Sequence, residues 1–140
     1  MIQPQFLLNA VALKWRYGLM NKEELEQIIL TNLKEAELKY SPPKGAQSAA
    51  KRALKWIADG KAGSGFTDVG RARAAQLARG GQVSTDVAKK MKSYFARHAV
   101  DKQATGFNSG EEGYPSPGRV AWDAWGGDAA ASWSAKLVFD

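Results

Sequence analysis

Phe66 to His98 reads FTDVGRARAAQLARGGQVSTDVAKKMKSYFARH, two helical stretches separated by a Gly-Gly turn. Thr67 is placed to cap the first helix, whose body runs through Val69, Ala72, Ala75 and Leu77. Gly80 or Gly81 supplies the left-handed residue that stops it. Ser84 is a second N-cap and Val83 begins a hydrophobic staple, so a new helix starts there. Val87, Met91, Tyr94, Phe95 and His98 recur at spacings of three and four and share one face, while Lys89, Lys92 and Arg97 point elsewhere. One side packs and the other is basic. The expectation is a fold built around this hairpin.

Working outward, Ser41-Pro42-Pro43-Lys44-Gly45 is a break, because paired prolines end a helix and force extended backbone before them. It divides the chain into an N-terminal helical arm (1–40), a linker (41–45) and a basic, Trp-rich helical module (46–140). In the arm, Phe6 to Tyr17 forms a short helix. Asn21 with Glu24 then resembles a capping box opening a helix through about Tyr40, with Leu25, Ile28, Ile29, Leu33 and Ala36 as its apolar stripe. In the module, a helix is expected from Gln47 to Asp59 with Ala49, Ala50, Ala53, Leu54 and Ile57 apolar. Gly60 to Gly65 is a flexible connection. It lacks the preceding strand and the Lys-Ser/Thr of a phosphate loop. Ala99 to Ser116 is a long loop pinned by Phe107 and Tyr114. Ser116-Pro117 starts a short helix with serine at N-cap and proline at N1. Asp128 is expected to cap a last helix over Ala129 to Lys136. The class is all-α, a compact bundle of about five or six short helices with a central helix-turn-helix-like hairpin.

The 140 residues are 44% hydrophobic, enough for one core without staples. There is no cysteine and one histidine, so disulfides and thiolate or polyhistidine metal sites are excluded and no cofactor is expected. The apolar run from Phe6 to Leu13 has no preceding basic residue and is too short for a bilayer, so an intracellular protein is expected. Charge is uneven. Residues 1–40 sum to zero and residues 103–140 to −3. Residues 41–102 carry thirteen Lys and Arg against four Asp, or +9 of a chain total of +6. That block predicts a surface for an acidic partner.

The candidate nucleic-acid ligands are Lys51, Arg52, Lys55, Arg71, Arg73, Arg79, Lys89, Lys90, Lys92 and Arg97. In a helix-turn-helix arrangement, Thr85, Lys89, Lys92 and Ser93 would face a groove while Arg71, Arg73 and Arg79 hold phosphates. His98 with Asp101, Asp123 and Asp128 is the only set from which a general base can be assembled. Its place on the apolar face favours instead a half-buried histidine bonded at the helix end, and no nucleophile motif accompanies it. Five tryptophans are many for this length; Trp122 and Trp125 lie in an acidic segment and are read as core rather than as base-stacking platforms.

The pattern M-x-x-Y-F-A-R-H at Met91–His98, then Asp101-Lys102, Gly113-Tyr114-Pro115, Pro117-Gly118, Arg119 to Trp122 and Trp125-Gly126-Gly127-Asp128, resembles a module that recurs in tailed bacteriophages and prophages. There it lies in or beside head-morphogenesis proteins such as head maturation proteases. The similarity covers about Ala46 to Trp133. It implies a viral origin and a place beside packaged DNA or the capsid shell, in the host cytoplasm or the virion. It brings no established biochemical role, so no residue's function follows from it. The function expected from the residues is non-enzymatic nucleic-acid binding, DNA foremost, through phosphate contacts of the basic hairpin. The alternatives are a virion assembly or scaffold-interaction module that meets an acidic protein, with 21–40 making homo-oligomers, and a small hydrolase or transferase using His98.

Overall fold

The computed structural model describes residues 13–139, so most of the helix expected over Phe6 to Tyr17 lies outside them. The expected all-α class is what the chain adopts. Among the described residues, helices α1 (Lys22–Ala36), α2 (Lys44–Ala58), α3 (Asp68–Arg79), α4 (Thr85–His98), α5 (Pro117–Ala124) and α6 (Gly127–Ala135) are joined by a 3-10 turn at Ala99–Gln103 and two very short strands, β1 (Leu38–Tyr40) and β2 (Val83–Ser84).

Three helix starts are set by local chemistry. Thr67 Oγ1 accepts from the Gly70 N–H at 3.2 Å, Ser84 Oγ from Val87 at 3.2 Å and Ser116 Oγ from Arg119 at 3.1 Å, each pairing an amide that the helix leaves open. Asn21 Oδ1 likewise accepts from Glu24 N–H at 2.7 Å ahead of α1. Gly80 closes α3 with φ of +77°.

Other boundaries differ from expectation. The first long helix stops at Ala36 rather than Tyr40, and Leu38–Tyr40 pairs antiparallel with Val83–Ser84. The prolines hold the preceding backbone extended, and Tyr40 gains an edge-on contact with Phe139 at 5.7 Å. Helix α2 begins at Lys44, inside the expected linker, with Pro43 as its N-cap. Asp128 does not cap α6. Gly126, with φ of +111°, takes that place, and Asp128 sits in the first turn.

Helix α2 packs closely on α3, α5 and α6, while α4 of the hairpin meets α1, α6, the 3-10 turn and both short strands. The buried stripe of α2 is Ala46, Ala49, Ala50 and Ala53, closed by Trp56. Alanine there lets backbones approach closely. A Cβ on Gly126 would stand 3.2 Å from that of Ala46, and one on Gly127 would stand 2.9 Å from that of Ala49. The two hairpin helices share one core, to which Ala74 and Leu77 of α3 and Val87 and Met91 of α4 contribute. Trp125 stands between them, stacked on Tyr94 of α4 at 4.7 Å and 8°, with the Arg73 guanidinium of α3 5.2 Å from its ring. Trp122, Phe95 and Phe107 extend this core.

The loop after α4 is pinned as expected. Phe107 is fully buried, and Tyr114 meets Trp56 edge-on at 5.6 Å. Arg119 braces it from α5, donating to the Phe107 carbonyl at 2.9 Å and to Asp123 Oδ1 at 3.3 Å.

Candidate nucleic-acid interface

Because α3 and α4 splay around Trp125, a cleft opens between them. Its deep end is a cavity of about 680 Å³. Ala62–Gly65 and Phe66 form one wall, Tyr94, Arg97 and His98 of α4 the other, and Pro117, Ala121 and Trp125 the floor. A shallower trough of about 380 Å³ continues along α4 past Lys89, Lys90 and Ser93, with Val69 opposite. Arg97 and Trp125 belong to both parts. Among the described residues, no carboxylate lines either one.

Within the deep wall, His98 stacks on Tyr94 at 4.4 Å, and its Nδ1 lies 3.1 Å from Asp101 Oδ2. This is the half-buried, carboxylate-bonded histidine expected at the helix end. The Tyr94 hydroxyl is buried and has no hydrogen-bond partner among the described residues. Burial, followed by the negative charges of Asp101 and Asp123, pushes its pKa up, so the phenol remains a neutral donor.

The ten cations expected to hold phosphates separate into different roles. Lys89 and Arg97 are exposed on the cleft wall and form no ion pair among the described residues. Lys51, Lys55 and Arg79 are likewise exposed and unpaired, but on α2 and at the end of α3. Lys90 lines the trough while bonded to Asp86 at 3.0 Å, and Arg71 pairs with Asp68 at 3.2 Å.

The other three make bonds within the fold; Arg73 is buried, which removes it as a ligand, whereas Arg52 remains 46% exposed. Arg52 donates to buried Asp123 at 2.8 Å. Lys92 donates to the Leu137 carbonyl of the C-terminal tail, and both Lys92 and Lys89 lie beside the Phe139 ring, at 5.9 and 5.7 Å. Arg73 is only 5% exposed, donating to Gln76 at 2.6 Å. Its burial lowers its pKa, opposed by the charge of Asp86; a guanidinium stays protonated all the same.

Within the helix-turn-helix-like hairpin, Trp125 stands between the two helices and Lys92 is bonded to the tail rather than free.

Set against known protein families, curated proteins and solved structures, the chain matches none. The resemblance to a phage module therefore stands on the quoted residues alone. No described helix is long and apolar enough to cross a membrane.

Reasoning from sequence missed the aromatic and glycine lining of the cleft. The signal was present in the glycine run Gly60–Gly65 immediately before Phe66 and a capped helix. The run does not fit the phosphate-loop pattern, yet Gly63–Gly65 form a cavity wall.

Proposed function

We propose that this is a non-enzymatic nucleic-acid-binding protein that makes its contacts chiefly to phosphate along the α3–α4 cleft. One observation carries the reading: the α4 wall presents Lys89, Lys90 and Arg97 to a cleft with no lining carboxylate. A polyanion laid there meets Lys89 and Arg97 without an ion-pair partner among the described residues, while Lys90 is shared with Asp86. Lys51, Lys55 and Arg79 add to the positive field from outside the cleft. The phage-module resemblance supports the same direction, a protein acting beside packaged genome in the virion or the infected cell.

The test is fluorescence polarisation with labelled DNA and RNA across a salt series, using the wild type and a Lys89→Ala/Arg97→Ala double variant. Affinity should fall steeply with salt, and the double variant should lower the slope of log affinity against log salt by about 1.5 to 2. Absence of binding at low salt overturns the proposal.

A second reading, an assembly module, is favoured by α1 and its flanks. Leu30, Leu33 and Leu38 are 49%, 63% and 57% exposed, an apolar surface that a second protein would cover. Light scattering after size-exclusion chromatography tests it. A stable oligomer disrupted by Leu30→Ser/Leu33→Ser supports it, and a monomer at all concentrations refutes it.

A further inference from the structure

We infer that the deep end of the cleft seats one unpaired nucleobase, so that the protein prefers single-stranded nucleic acid to duplex. This rests on the nucleic-acid reading above and adds the form of strand.

Phosphate neutralisation needs only exposed cations on a convex or flat surface. The cleft has more than that. Its deep cavity, about 680 Å³, falls within the range of small-molecule sites, and its lining from Phe66, Pro117, Ala121 and Trp125 is apolar. A surface that met only sugar and phosphate would gain nothing from such a lining. An unpaired base has two apolar faces and a polar edge, and aromatic rings take those faces without regard to sequence.

Phe66 is the partly exposed ring of the set. Arg71, paired with Asp68 at 3.2 Å, lies 6.0 Å from its centroid. The polar edge of the base would meet the Ser64, Thr67 and His98 side chains that line the same cavity.

Continuity supplies the remaining step. Arg97 lines both the cavity and the Lys89–Lys90 trough, so a base in the deep end leaves its phosphate beside Arg97 and the strand running along α4. In a duplex the bases are stacked and paired, and a base reaches such a pocket only after being flipped out at a cost of a few kcal/mol.

The experiment compares a labelled oligothymidylate with a duplex of equal length, at one salt concentration, on the wild type and two variants. Gly65→Trp places a large ring at the cavity wall from a position where a Cβ has open space and the backbone is unstrained; circular dichroism confirms that it folds. Phe66→Ala removes the rim ring. The single strand should bind the wild type about tenfold more tightly than the duplex, and each variant should lose that preference while keeping duplex affinity. Equal binding of both forms by the wild type, or a preference unchanged in Gly65→Trp, overturns the inference and leaves the phosphate-contact reading intact. Failure of both forms to bind at low salt overturns both.

Discussion

Removing the Asp123 carboxylate should cost more stability than any single surface change. Its side chain is 1% exposed and holds Arg52 at 2.8 Å and Arg119 at 3.3 Å, tying α2 to α5. In Asp123→Ala the two guanidiniums lose this partner unequally. Arg119, 20% exposed, keeps the Phe107 carbonyl at 2.9 Å and loses one charge-assisted bond, about 2 kcal/mol. Arg52, 46% exposed, turns to water and loses about 1 kcal/mol. The sum, about 3 kcal/mol, is a large share of a typical stability and corresponds to a fall in Tm of about 10 °C. Urea unfolding with scanning calorimetry reads it. Arg52→Met should cost about 1 kcal/mol and leave the salt slope of nucleic-acid binding unchanged. A loss below about 1 kcal/mol in Asp123→Ala would refute the view that this carboxylate organises the two helices.

Three further outcomes are expected. Gly126→Ala should destabilise by about 4 kcal/mol, because its φ is +111° and a Cβ would fall 2.4 Å from that of Ala130. Gly81→Ala, at φ of +94° but in open space, should cost about 1 kcal/mol, so equal costs in urea unfolding would refute the close-approach account. Lys92→Met should lower stability by about 1 kcal/mol through its lost bond to Leu137 and leave the salt slope as in wild type, in contrast to Lys89→Ala. Asp128 is desolvated, which raises its pKa. The bonds from Lys102 and Trp122 and the charges of Lys102 and Arg119 outweigh that and hold it below its ordinary 3.8. A depressed carboxylate stabilises above its unfolded pKa and loses that contribution as pH falls through the folded one. Asp128→Asn should therefore narrow its stability deficit as pH falls below about 4, and a deficit constant from pH 7 to pH 2 would refute this.

The caps were legible because they are local: Thr67, Ser84 and Ser116 each needed only the residues that follow them. The phase of α3 was not. Val69 and Ala72 of the helix body are exposed, whereas Gly70, Arg73, Ala74 and Leu77 are buried. A stripe containing glycine and arginine does not read as apolar, yet a Cβ on Gly70 would stand 3.0 Å from the Phe66 ring. The close packing of α2 was hidden for a similar reason. Hydrophobic periodicity gives weight to large side chains, and α2 packs through alanines that gain contacts by closeness rather than by bulk. The cleft was illegible as a cleft because Phe66, Arg97 and Trp125 meet only through the tertiary packing of three separate elements.

The charge count carries the same lesson one step further. The block from 41 to 102 predicted a basic face, but folding buries Arg73, bonds Lys92 to the tail and pairs Arg52, Arg71 and Lys90 with carboxylates. What remains unpaired among the ten is Lys51, Lys55, Arg79, Lys89 and Arg97, and only Lys89 and Arg97 of these border the cleft. Electrostatic attraction over a Debye length depends on the whole set. A variant lacking Lys51, Lys55 and Arg79 should therefore bind more weakly at low salt while keeping any strand preference, whereas one lacking Lys89 and Arg97 should lose both. Loss of strand preference in the first variant would show that the positive field as a whole, and not the cleft, discriminates between strands.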